Sequence, residues 1–478
     1  MVISPHLYIY FNIFFSKGIF PDCLKTGYIV PIFKSGNSTL ASNYRPIVIL
    51  NTLSKVFESL VLDGLEFELK HLVVPQQHGF RSGRSTTTNL TIFQHYITSA
   101  FARGRQVDCI YLDFAKAFDR VSHKHLLAKL DSLGFSSSLL QFFQSYLRGR
   151  TLSVRCGTAI SHPIGAESGV PQGSHLGPFL FNLFINDIGD ALTAKHLLFA
   201  DDVKLFLESS SGHDVDRLRS SLRAVEHWCF KNAMDLNVSK CSVMTFSRSR
   251  NPVFHDYYLG SEILHRVWKM KDLGVITTST LHPDEHVRFI CRRANSTLGF
   301  IFRFSGGLHS DSLVTLYKTL VRPLLEYNSS VWAPYQSTLI SDIERVQVRF
   351  IRVVGCRMGY NYLEVPVPLL KSHFRLHDLD IRRRIHDSVL LMKLINGVVG
   401  CPELLQELPF HTPGRTRSQD LFERLQYSTL YQQRSTLPRL LQLGNEIGGS
   451  VDFFSPGVAR FRSQAVRLLT ANDGVGDE

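Results

Sequence analysis

The sequence predicts an α+β core followed by a long helical region, and three observations carry this. First, short β-like runs that end in carboxylates, CIYLD at 109–113 and LLFADD at 197–202, alternate with helical segments through the middle of the chain. Second, a strand-like segment and two apolar-periodic helices precede them. Third, beyond residue 276 the apolar residues recur mostly at helical spacing.

In chain order, the run LYIYFNIFF at 7–15 is apolar and aromatic but shorter than the roughly 20 residues of a membrane span, so a buried helix is expected. No later run is long and apolar enough to cross a bilayer. A strand is predicted at 28–33 (YIVPIF), then a polar turn at 34–38 and a helix at 53–69. The loop QHGFRSGRSTTT at 77–88 leads into a helix at 89–101. The carboxylate-ended runs fall in a second stretch, 107–276. The third is helical at 312–325 and 339–354, and its tail at 472–478 is polar and expected to fray.

With 478 residues, 44% of them hydrophobic, the chain has ample material for a core and for roughly two to four domains or subdomains. The net charge of +12 suits an acidic polymer or an anionic membrane surface, and equally a basic protein with neither partner. Eight scattered cysteines with no CxxC or CxxxC pair give no zinc or disulfide framework and point to a reducing compartment. Arg345, Arg349 and Arg352 share one helix face, which is either solvated or a phosphate-binding surface.

The carboxylates at 113, 201 and 202 are the chemical signal. Strands disfavour Asp, and an unpaired buried carboxylate is costly. One such Asp is a strand stopping at a turn. Two neighbouring strands that both end in acid bring like charges together, and hard oxygen ligands of that kind suit Mg²⁺.

On these residues the chain resembles a known family. YLDFAKAFDRV at 111–121 and FADD at 199–202 look like the two aspartate motifs of retroelement polymerases. SGVPQGSHLGPFLFNLFINDI at 168–188 resembles the motif between them. NYRPIVILNTLSKVFE, QHGFRSGRST, KNAMDLNVSKCSVMTFSR and MKDLGV are similar to further motifs of the non-LTR group, in the family's order, over about 15–277. LVRPLLEYNSSVWAP and IERVQVRFIR downstream resemble the jockey-like branch.

The resemblance implies a right-hand polymerase with an α/β palm. The reverse transcriptase domain would span 15–277 overall, with partial fingers at 1–106, palm at 107–276, a helical thumb at 277–345 and a basic helical C-terminal region at 346–478. It implies an RNA-directed DNA polymerase that adds deoxynucleotides to a primer 3′-hydroxyl by two-metal phosphoryl transfer. Asp113 and Asp201 would be metal ligands, with Asp202 completing the pair, for two Mg²⁺ ions that Mn²⁺ could replace. Phe118 would be a steric gate against the ribose 2′-hydroxyl, or else a core Phe. Gln172 and Gly173 would border the incoming nucleotide, and Lys34, Arg45 and Arg81 its triphosphate. Lys240 would protonate pyrophosphate, or be an ordinary solvated lysine. Asp119 is expected to be an exposed acid beside Arg120. Leu273 and Gly274 would grip the primer, and Arg345, Arg349 and Arg352 would bind nucleic acid.

The implied partners are an RNA template, a DNA primer or target DNA, and deoxynucleoside triphosphates, with no membrane. The implied place is intracellular: the nucleus, for a chromosomal target, or the cytoplasm. The chain begins within the fingers region, so it reads as a copy truncated at its N-terminus. The alternative reading is a catalytically dead relic that only binds nucleic acid.

Overall fold

A computed structural model describes residues 4–411 and 420–471, so the polar tail at 472–478 lies outside the described residues. The chain opens with α1 (Ser4–Ser16), β1 (Thr26–Phe33), β2 (Tyr44–Leu50), α2 (Thr52–Leu69) and α3 (Thr86–Ala102). There follow β3 (Val107–Leu112), α4 (His123–Ser132), α5 (Ser137–Leu147), β4 (Thr151–Cys156), α6 (Leu176–Ile185), β5 (Lys195–Phe199), β6 (Asp202–Glu208) and α7 (Gly212–Asn232). After β7 (Ser242–Phe246), β8 (His265–Arg266), β9 (Lys269–Asp272) and β10 (Val275–Thr278) the described chain is helical. Its main helices are α8 (Asp284–Phe304), α9 (Ser337–Arg357), α10 (Leu379–Ile395), α11 (Thr436–Ile447) and α12 (Val458–Ala471).

The central sheet has the order β8-β7-β3-β6-β5, with β3 antiparallel to both β7 and β6. Every residue of β3 is buried, because the sheet is covered on both faces. Ile110 and Leu112 join Val203 and Leu205 in the largest core, under α4 to α7. Cys109 and Tyr111 face the other way with Phe206, against Phe93, Ile97 and Phe101 of α3. The period of two along a strand thus sorts each residue to one face or the other. A second sheet joins β2, β1 and β4.

Three expectations change. The run 197–202 is not one strand: β5 ends at Phe199, Ala200 and Asp201 form the turn, and Asp202 opens β6. The apolar run at 7–15 is helical but largely uncovered. Phe11 is buried, stacked on Phe57 at 4.5 Å, while Tyr8, Ile9 and Tyr10 are more than half exposed. The division at 345/346 falls inside α9, whose core continues to Leu379, and a separate core takes over from Ile381. Helical spacing reports a helix's own face and not which core receives it.

One buried ion pair ties the sheet to the β9-β10 hairpin. Lys204 lies on the α3 face of β6 and donates to both carboxylate oxygens of Asp272, at 3.0 and 2.8 Å, beneath the ring of Phe93. Both side chains are almost wholly buried. Lys204→Met would leave Asp272 buried and unpaired, and should cost roughly 3 to 5 kcal/mol. Adding Asp272→Leu should recover most of that loss. Urea unfolding of the two variants reads the difference; equal stabilities would mean the pair does not hold this hairpin.

Candidate active site

The register of β3 against β6 brings the acids together. Leu112 pairs with Val203, so the next residues, Asp113 and Asp202, face each other, and Asp201 sits in the turn between β5 and β6. Ala200 holds this turn with φ of +56°, in the left-handed region that costs a non-glycine residue energy. Partial removal from water, then the charge of Asp113, raises the pKa of Asp201. Asp202 is pushed up to about 6, first by desolvation and then by Asp201, Asp272 and Asp113.

Lys240 sits on the turn Val238–Lys240, and its ammonium contacts Asp113 Oδ2 at 3.0 Å. That turn is tied to the end of β3, since Asn237 N donates to Asp113 O at 2.7 Å and Ala115 N to Asp235 O at 2.8 Å. Among the described residues no group of three or more His, Cys, Asp or Glu side chains is arranged to hold a metal ion. Asp113, Asp201 and Asp202 nevertheless lie close enough to raise one another's pKa, and the Lys240 ammonium lies against Asp113. The donor set still fits a hard cation. Mg²⁺ is usually held by one or two carboxylates together with water and substrate phosphates. Here the carboxylates of Asp113 and Asp201 repel each other across a gap that positive charge would relieve.

Phe118 follows a left-handed Lys116 (φ +52°) and stacks on Phe181 of α6 with ring centroids 4.4 Å apart. Its other neighbour is Phe80, edge-on at 6.2 Å and itself 60% exposed. Gln172 Nε2 donates to Asp119 Oδ1 at 2.6 Å, so Asp119 is engaged by Gln172, while Arg120 pairs with Asp235. Gly173 has φ of +78°, and a Cβ there would lie 2.8 Å from the carbonyl oxygen of Val48. The glycine is thus required by close approach to β2.

Leu273 and Gly274 form the β9-β10 turn with φ of +44° and +90°. Tyr327 braces it, its hydroxyl donating to Leu273 O at 3.0 Å. Arg81 Nη1 donates to Val74 O at 2.7 Å and lines a cleft with Phe80, His175, Phe179 and Val398. Lys34 and Arg45 are exposed at the turn end of the β1-β2 pair and, among the described residues, make no contact with the carboxylates. Arg345 and Arg349 are exposed on α9, Arg345 paired with Asp342 and Arg349 bonded to Asn295 Oδ1 at 2.9 Å. Arg352 is half-buried against Tyr362, so the three arginines do not share one free face.

The structure thus gathers Asp113, Asp201, Asp202 and Lys240 at one place and leaves Lys34, Arg45 and the α9 arginines outside it. The sequence reading missed Gln77, which is buried and accepts from the amide nitrogens of both Gly79 and Ala200 at 2.8 Å. It also missed Tyr327. The available signal at Gln77 was its place two residues before a glycine in the QHGF run.

Residues 32–279 match the family model described as "Reverse transcriptase (RNA-dependent DNA polymerase)". The chain is 29% identical over 368 residues to the RNA-directed DNA polymerase from mobile element jockey of Drosophila funebris, covering 73% of this chain and 40% of that protein. It is also 29% identical over 362 residues to the probable RNA-directed DNA polymerase from transposon X-element of Drosophila melanogaster, covering 72% and 39%. The chain spans about two fifths of the length of these curated relatives. Among solved structures, apo telomerase from Candida tropicalis matches with a TM-score of 0.42 and 12% identity, covering 80% of this chain and 67% of that one.

Proposed function

The chain belongs to the reverse transcriptase family, whose model matches more than half of its length, and from that membership we propose that it is an RNA-directed DNA polymerase of a jockey-like non-LTR retrotransposon. The single observation that carries the reading is the meeting of Asp113, Asp201 and Asp202 at the end of β3 and β6, inside the matched segment. Template-directed addition of deoxynucleotides to a primer 3′-hydroxyl is the reaction, and pyrophosphate leaves.

In this reading the central sheet with α4 to α7 is the palm, the β1-β2 pair with α2 and α3 belongs to the fingers, and the core from Val275 to Leu379 is the thumb. Asp113 and Asp201 hold the divalent cations, and Asp202 adds negative charge behind them. When bound, two such ions supply a clamp on the attacking and leaving oxygens of an in-line displacement. Lys240 is in contact with Asp113 and would lie beside a cation held there, within the site, as a proton donor to the leaving pyrophosphate. Phe118, held between Phe181 and Phe80, presents its ring where a 2′-hydroxyl would lie. Asp119 orients Gln172 at the edge of the nucleotide site. Lys34, Arg45 and Arg81 are the basic groups assigned to the triphosphate in this reading. Leu273 and Gly274, braced by Tyr327, support the primer end. RNA template and DNA primer or target DNA are the macromolecular substrates. Among the described residues no helix is long and apolar enough to cross a membrane; a nuclear site of action follows from a chromosomal target.

Primer extension on an RNA template with Mg²⁺ tests the reading. The purified protein should extend, and Asp201→Asn should reduce extension to background; equal activity of the two would remove Asp201 from the site. Retained RNA binding without extension would favour a descendant that only binds. Phe118→Ala should raise ribonucleotide relative to deoxynucleotide incorporation by at least about tenfold. An unchanged ratio in single-nucleotide incorporation returns Phe118 to core packing. Replacing Arg345 and Arg349 by Gln should reduce the log–log salt slope of RNA binding by about 1.4 to 1.8, at about 0.7 to 0.9 per phosphate contact. An unaltered slope would make these arginines a solvated face.

A further inference from the structure

The turn that carries Asp201 is not held by its own strands alone. Residues 76–78 run beside β5 as a short parallel bridge: Leu198 N donates to Gln76 O and His78 N to Leu198 O, both at 3.0 Å. From there the buried Gln77 side chain reaches the turn. Its Oε1 accepts from Ala200 N and Gly79 N, and its Nε2 donates to Ala200 O at 3.3 Å. Gly79 packs so closely that a Cβ would lie 2.3 Å from Ala200 N, and Asn182 Nδ2 fixes Gly79 O at 2.8 Å. Ala200 is the residue in the strained left-handed conformation, so the amide that Gln77 engages is the one that sets where Asp201 points.

The loop that carries Gln77 is anchored in turn from the far end of the sequence. His78 is buried, and burial together with Arg84, Lys204 and Arg81 lowers its pKa to about 2. Arg84 can only donate, so Nε2 accepts from its Nη1 at 3.3 Å, and Nδ1 carries the proton toward Thr88 Oγ1 at 2.7 Å, whose own hydrogen goes to Ser85 O. Arg84, itself buried, reaches both carboxylate oxygens of Glu403 at 3.1 and 3.0 Å. Gly400 N donates to Gly83 O at 3.0 Å beside it. Glu403 lies on the short helix Pro402–Leu405, whose Leu404 joins the core that takes over from Ile381, far outside the segment that matches the family model.

We propose that Gln77 is a positioning residue for the aspartate turn, and that Glu403 of the C-terminal helical region holds Gln77 in place through Arg84 and the loop 77–85. The proposal rests on the reading of that turn as the catalytic centre. A buried guanidinium left without its carboxylate has to move or recruit water, and the loop it anchors moves with it. Displacement of a catalytic group by even 1 Å is felt in the chemical step more than in substrate binding.

Hydrogen–deuterium exchange on the full chain tests this directly, without needing catalysis or bound metal. Gln77→Leu keeps the volume and removes the acceptor, so exchange at 198–202 should rise roughly tenfold or more. Gln77→Glu keeps both accepted bonds but turns an oxygen toward Ala200 O, so exchange there should rise less than in Gln77→Leu. Glu403→Ala should raise exchange at 77–85 and also at 198–202, whereas Glu403→Gln, which still bonds Arg84, should raise it far less. In extension assays Gln77→Leu and Glu403→Ala should lower kcat roughly 10- to 100-fold with KM for the nucleotide changed by less than about threefold. Their effects on log kcat should fall short of additive in the double variant, because both act through one loop. Unchanged exchange at 198–202 in Gln77→Leu overturns the proposal. Exchange confined to the neighbourhood of 400–408 in Glu403→Ala overturns the role of the C-terminal region. If Gln77→Leu does not fold, the Glu403 pair decides. If the unmodified chain does not extend a primer, the polymerase reading fails, and the exchange data still decide whether the clamp exists.

Discussion

Like-charge repulsion among Asp113, Asp201 and Asp202 is the constraint around which this end of the molecule is organised. The antiparallel register of β3 and β6 puts Asp113 opposite Asp202, and the two-residue turn adds Asp201 beside them. The surrounding protein removes part of the water that would otherwise screen the three, which raises the pKa of Asp201 and Asp202. Such an arrangement persists only if the backbone around it is over-determined. Several unrelated contacts do that here: the Lys204–Asp272 pair behind the sheet, the hydrogen bonds from the 235–241 segment to the end of β3, and Gln77 on the turn itself.

Lys240 shows how the charge is managed. Its ammonium lies against Asp113 as a compact, hydrated point charge on a flexible stem, and the pair is partly exposed to water. The buried Lys204–Asp272 pair has no such freedom. It belongs to the scaffold, and it links the acids to the Leu273–Gly274 turn that Tyr327 braces from the helical side. Two lysines with the same side chain therefore serve opposite ends, and burial alone separates them.

The helical half is more than an appendage. Its first core begins at Val275 and takes in Leu90 of α3, and its second is joined to the loop before α3 through Arg84 and Glu403. Tyr327 and Asn328 reach back to Thr86 and Thr87 at the start of α3. The N-terminal end of that helix is thus tied through Tyr327 to the β9-β10 turn, through Asn328 to the core that begins at Val275, and through Arg84 to the C-terminal region. Two of the arginines expected to bind nucleic acid remain at the surface of α9, whereas Arg382 and Arg384, from the same basic stretch, pair with Glu326 and Glu446 within the protein.

By itself the sequence determined the α+β core, the helical second half, the places of several helices and strands, and the carboxylates at 113, 201 and 202 as the chemical signal. These are local facts: periodicity of two or 3.6, and carboxylates where strands disfavour them. Phe118 and the glycine at 173 were marked out through the resemblance to the polymerase family, and the close neighbour of Gly173 proved to be the backbone of β2. Tertiary structure alone decided that Asp201 occupies a turn and Asp202 opens the next strand, because a hairpin of two apolar strands reads as one run until its pairing is known. It decided that Lys240 meets Asp113 across 127 residues, that Arg352 turns toward Tyr362, and that Glu403 answers Arg84 across 319. A buried Gln or Arg carries no mark of its partner in the sequence, since the bond that explains it is made to a backbone amide or a carboxylate brought from elsewhere in the chain.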